Sequence, residues 1–101
     1  MLEVRRGDDL NAFGKEVVVT LNTERDLISC RAVFELDGFR QEWDDVTSKR
    51  LLLVMTREDT YKLKVGQRFG HVKIYDQNNL AETVEKEISV FVHPEVVKNE
   101  Q

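Results

Sequence analysis

Nucleophilic, acid–base and metal chemistry each need particular side chains at particular spacings, and this chain offers few of them. Its three serines, Ser29, Ser48 and Ser89, lie outside any G-x-S-x-G elbow, so none comes with a positioned base. The five glycines are scattered and form no phosphate-cradling loop. His71, His93 and Cys30 are far apart and lack C-x-x-C or H-x-x-x-H spacing. Cys30 reads as a small buried hydrophobe and His71 as a strand residue beside Val72. Asp8 with Asp9, and Glu42 with Asp44 and Asp45, lack the alternating oxygens and turn glycine of a calcium loop. Glu42 and Asp44 read as a solvated, edge-protecting strand face, with Asp45 on the other side. The expectation is a non-enzymatic protein with no catalytic residue, metal or cofactor.

Two constellations point to binding instead. Arg6-Gly7-Asp8 is the integrin-binding tripeptide, although its residues equally make a glycine turn followed by acids entering the next segment. Trp43 and Tyr75 are candidates for an exposed aromatic platform facing a sugar or a partner protein. The competing position for Trp43 is the core, against Ala32. Net charge is −4, with 15 basic residues interspersed among 19 acidic ones and no run of three basics. A surface that neutralises phosphates needs a basic stripe, so neither nucleic acid nor an anionic membrane is an expected partner.

The elements that must position these residues are strands. At 101 residues the chain has the length of one domain, with 14 Val against 3 Ala and a single Pro. Branched Cβ atoms suit a pleated sheet. Turn signals every 8 to 12 residues cut the chain into short strand-like runs, the pattern of a sandwich or barrel. The runs are Glu3–Arg5, Glu16–Leu21, Leu27–Leu36, Phe39–Val46, Arg50–Thr56, Arg68–Tyr75 and Leu80–Val92.

Asp37-Gly38 predicts a two-residue hairpin with both central residues at φ > 0. That register sets Leu36 opposite Phe39, Phe34 opposite Gln41 and Ala32 opposite Trp43 on one face. On the other it sets Glu35 opposite Arg40 and Arg31 opposite Asp44. The inward set of the first strand is Ile28, Cys30, Ala32, Phe34 and Leu36. Arg50–Thr56 is apolar on both faces and predicts a central or doubly covered strand. Thr56-Arg-Glu-Asp59 is a capping-box pattern, with Thr56 as N-cap of a short helical turn that ends at Gly66. A second hairpin around Asp76–Asn79 sets Tyr75 against Leu80 and Lys73 against Glu82, with a bulge near Glu85–Glu87. The fold class is therefore all-β: an immunoglobulin-like β-sandwich of about seven strands with one short helical turn near residues 57–63. Residues 1–94 form one domain, and 95–101 a frayed tail.

Arg6-Gly-Asp-Asp-Leu-Asn-Ala-Phe-Gly14 resembles the opening of small structural proteins encoded in phages, prophages and their Firmicute hosts. Leu51–Thr60, Lys62–Gly66 and His71–Tyr75 are similar to the turn-and-strand pattern of the same proteins and of the N-terminal module of phage upper-baseplate proteins. Arg6, Gly7, Asp8 and Asp9 match the first signature, and Thr56, Glu58, Thr60 and Gly66 match the second. Met55 stands where that pattern often has Leu, a volume-tolerant change. The resemblance implies a virion component: a tail, baseplate or head accessory protein. It would contact copies of itself or neighbouring particle proteins, in the virion or the host cytoplasm; the opening residues after Met1, Leu-Glu-Val-Arg-Arg, separately read as no signal peptide. It carries over no catalytic or ligand residue. The alternative from composition and motifs is a carbohydrate-binding or adhesion module that uses Trp43 or the Arg6-Gly7-Asp8 turn.

Overall fold

A computed structural model describes residues 1–46 and 48–96, at Asp45 the backbone alone. The expectations for the Asp45 side chain and for the tail beyond residue 96 lie outside the described residues. The chain is all-β, with seven strands and one short α-helix among the described residues. They are β1 (Leu2–Arg5), β2 (Val18–Thr20), β3 (Cys30–Leu36), β4 (Phe39–Val46), β5 (Arg50–Leu52), α1 (Arg57–Tyr61), β6 (Gly66–Tyr75) and β7 (Ala81–His93). A 3-10 turn at Ala12–Gly14 is an addition to the elements read from sequence.

Five strands form one sheet in the order β1-β7-β6-β3-β4, and β2 pairs with β5 in a second, two-stranded sheet. All pairings are antiparallel except β1 with β7. Val19, Leu51 and Leu53 from the smaller sheet and its extension share one core with Ala32, Phe34, Leu36, Val72, Ile74, Val90 and Val92 from the larger. Each of these larger side chains gains roughly 1.5–3 kcal/mol from full burial.

The Asp37-Gly38 hairpin forms in the expected register, Leu36 with Phe39, Phe34 with Gln41 and Ala32 with Trp43. Asp37 takes φ 48 and Gly38 φ 88, the doubly left-handed turn whose twist matches the flanking strands. Arg31 does not meet Asp44, because the register shifts between Ala32 and Cys30 and Cys30 pairs with Val46. Two residues of β4, Asp44 and Asp45, thus oppose Arg31, as in a β-bulge. Glu35 does lie opposite Arg40, but the Arg40 guanidinium turns along its own strand to Glu42, 2.8 Å away.

Three further expectations are corrected. Ile28 is not inward: it is 73% exposed. Its N–H is held by Asp26 Oδ1 at 3.0 Å, and Ser29 at φ 63 breaks the alternation before β3 begins. Leu27 is buried in its place. Leu51–Met55 is not a central strand: Leu51, Leu53 and Met55 are buried, while Leu52 and Val54 lie about half exposed on an open edge. In the second hairpin Tyr75 pairs with Ala81 and Lys73 with Thr83, one residue further on than expected. There Asp76 accepts the N–H groups of Asn78 and Leu80 through Oδ1, both at 2.9 Å, making the loop one residue longer. The bulge near Glu85–Glu87 is present, since Val72 pairs with Glu85 and Gly70 with Ile88.

Candidate functional site

Thr56 starts α1 as read from sequence. Its Oγ1 accepts from Asp59 N while the Asp59 carboxylate accepts from Thr56 N, completing the capping box. Gly66, at φ 110, begins β6 after the helix. The Arg6-Gly7-Asp8 turn docks on this helix. Gly7, at φ 86, donates its N–H to Thr60 Oγ1 at 3.1 Å, and that hydroxyl donates to Asp8 O at 2.8 Å. Thr60 is fully buried, so one hydroxyl satisfies both backbone groups of the turn.

Arg6 is equally committed. Its Nε donates to Tyr61 O at 3.0 Å, its guanidinium lies 4.8 Å over the Tyr61 ring, and Nη1 is 3.3 Å from Glu95. A tripeptide whose arginine is stacked and ion-paired is a clamp between the chain's first turn and its helix, rather than a protruding recognition loop. Asp9 adds to the clamp: its carboxylate accepts from the Arg57 N–H at 2.7 Å and the Arg57 guanidinium at 3.0 Å. The hydrogen bonds from Arg57 hold the Asp9 carboxyl below its ordinary range.

The two aromatic candidates are not brought together. Trp43 pairs with Ala32 on the core side of the larger sheet and is half-buried. Tyr75 pairs with Arg31 on the opposite face, with the Arg31 guanidinium 4.6 Å over its ring. They form no common platform. His71 sits 3.4 Å from Glu35 and His93 3.1 Å from Glu3, each on the outer face, while Cys30 is buried. Among the described residues no three of His, Cys, Asp or Glu converge as metal ligands, and no helix is long and apolar enough to cross a membrane.

The features that sequence reasoning passed over are two side-chain amides and one aromatic ring. Gln41 Nε2 donates to Leu52 O at 3.1 Å, and its Oε1 accepts from Val54 N at 2.9 Å. On the other flank Asn11 Nδ2 donates to Leu53 O at 2.9 Å, and its Oδ1 accepts from Met55 N at 3.2 Å. Each amide presents one donor and one acceptor, as a peptide unit of a neighbouring strand would. Gln41 had a signal in the sequence, because the hairpin register puts a lone amide between Phe39 and Trp43 on the packed face. Between the two sheets at this edge lies a groove of about 370 Å³, lined by Gln41, Trp43, Val46, Leu52 and Val54 among others. Phe13 stands apart, fully exposed and at φ 59 in the turn before β2. No family model, curated protein or solved structure matches the chain.

Proposed function

We propose that the chain is a non-enzymatic assembly module that works through protein–protein contacts in a phage- or prophage-derived particle, as a tail, baseplate or head accessory component. The observation that carries the contact role is Phe13. A phenylalanine left wholly in water forgoes roughly 1.5–3 kcal/mol of burial. A non-glycine residue held at φ 59 adds a further cost of order 1 kcal/mol. Asn11 fixes the turn that displays the ring, because its side-chain amide binds Leu53 and Met55 while also donating to Lys15 O at 3.3 Å. A ring presented at this cost on a pinned turn suits insertion into a neighbouring subunit.

The placement in a phage particle rests on the resemblance of the Arg6–Gly14 and Leu51–Tyr75 motifs. Within that reading the finer description of the fold is an immunoglobulin-like sandwich. The core shared by two sheets and the parallel β1–β7 pair support it.

The test is mass spectrometry of purified particles from the organism that encodes the chain, combined with light scattering of the isolated protein. The expected result is the chain in fixed stoichiometry within the particle, with Phe13→Ser excluded from it while folding normally. Absence from the particle, together with a monomer up to millimolar concentration, would overturn the proposal.

A further inference from the structure

The outward edge of β5 and its extension supplies a second, independent observation. Leu53 N donates to Val17 O and Leu21 N to Lys49 O, so the odd-numbered residues of this stretch pair with β2. The even-numbered residues, Leu52 and Val54, therefore turn their backbone groups away from β2, toward the groove beneath β4. There, among the described residues, the Leu52 carbonyl and the Val54 N–H meet no strand; they meet the side-chain amide of Gln41. Leu52 and Val54 are 49% and 54% exposed. An apolar, unpaired edge of this kind is what proteins ordinarily blunt with charge or proline.

We propose that this edge is a strand-acceptor site, at which an extended segment of a partner protein pairs antiparallel with Leu52–Val54 and completes the two-stranded sheet to three. In the free chain Gln41 is the placeholder. Its amide satisfies the same carbonyl and N–H that an incoming main chain would use, and swings aside when that chain arrives. Alternate side chains of the segment would point into the groove, where the half-buried Trp43 ring offers an apolar contact.

The charge at the groove fixes the segment further. Arg50, exposed and lining the groove, stands at the N-terminal end of β5. An antiparallel partner brings its C-terminal end to this cation. The occupant is thus an extended peptide with apolar residues at alternate positions and carboxylates near its C-terminal end. This site is separate from Phe13, and the inference stands whether or not the particle assignment does.

Trp43 is the chain's single tryptophan and reports on the groove without a label. The probe is a short capped peptide alternating Val and Thr and ending in glutamates; the control carries lysines in their place. Titration should give a saturable change in Trp43 emission with the glutamate probe, weaker with the lysine probe and weakened by salt. Gln41→Ala removes the placeholder and should tighten binding about tenfold, the factor set by one to two modest hydrogen bonds no longer in competition. Val54→Pro removes the edge N–H and should abolish binding. Amide shifts in the unaltered protein should move at Leu52 and Val54, which keeps the test independent of how either variant folds. No emission or shift change at millimolar probe overturns the proposal, and so does binding indifferent to Gln41→Ala. If Gln41→Ala instead dimerises and excludes the probe, the edge belongs to a second copy and the partner-peptide assignment fails.

Discussion

Gly70 lies in the middle of β6 with its α-carbon against the most buried ring of the core. A Cβ built there would stand 2.8 and 2.9 Å from two ring carbons of Phe34 and 3.1 Å from the carbonyl oxygen of Glu35. Carbon atoms in ordinary contact sit about 3.5–4.0 Å apart, so Gly70→Ala requires a retreat of roughly 0.7 Å. Phe34 has no exposed surface, and its ring is already packed against Phe39 at 6.2 Å between centroids. On the other side the obstacle is backbone, which cannot rotate away. Overpacking of this type costs about 1–3 kcal/mol. Against it stands the smaller conformational entropy of the unfolded chain with alanine, about 0.4–1 kcal/mol. The net expectation is a loss of about 1–2 kcal/mol, or a fall in Tm of roughly 5–10 °C for a domain of this size. Urea unfolding should show the loss as a lower midpoint at unchanged slope. Phe34→Leu removes the two ring carbons concerned, so the cost of Gly70→Ala should shrink by about 1 kcal/mol in that background. A neutral Gly70→Ala, or simple additivity in the double variant, would refute the packing argument.

Further outcomes follow from other contacts. Asp37 receives two hydrogen bonds from Arg68, at 2.8 and 2.9 Å, and these hold its carboxyl below the ordinary range. The ionised form is favoured by folding, so the stability lost in Asp37→Asn should be constant from neutral pH down to about pH 4. It should then close as pH falls through the lowered value; a gap independent of pH in urea midpoints would contradict the ion pair. Gly38→Val should destabilise by about 1–2 kcal/mol or more in thermal unfolding, since φ 88 suits glycine and a Cβ there meets no other atom within 4 Å, which leaves backbone strain as the cause. Neutrality there would show that the turn relaxes. Thr60→Val keeps the volume but leaves Gly7 N–H and Asp8 O without their shared partner, and should cost about 1–3 kcal/mol in chemical denaturation.

What the sequence made legible was local. Asp37-Gly38 determines a turn by backbone conformation alone, and Phe34, Ala32 and Trp43 then fall into register because side chains alternate with period two. Thr56 and Asp59 determine the start of α1 by the same short-range logic. The misreadings come where one residue changes the count. Ser29 in the left-handed region cuts Ile28 out of the strand, and the Asp76 carboxylate adds a residue to the second loop by capturing Asn78 and Leu80. The clamp at Arg6-Gly7-Asp8 was beyond reach for a different reason: its partners Thr60, Tyr61 and Glu95 are more than 50 residues away, and nothing local pairs them. Gly70 likewise looks like any strand glycine until Phe34 is seen beneath it.

The stretch Leu51–Met55 shows how such a misreading can bear on function. Apolar residues on both faces predict a central or doubly covered strand, and by that rule the sequence describes a sheet that the free chain does not build. Leu51, Leu53 and Met55 find the core, whereas Leu52 and Val54 find only solvent and the amide of Gln41. Asn11 occupies the corresponding place on the other flank, but there the polypeptide continues: Leu10 N donates to Met55 O at 3.0 Å, so that side is closed by the chain itself. On the Gln41 side among the described residues no chain follows. Folding stability gives no reason to keep two branched apolar side chains in water at that edge, since a polar residue there would cost little and protect against aggregation. Their presence is accounted for if a further strand arrives with another protein and flanks them, and the expectation of a central strand then describes the complex and not the isolated chain.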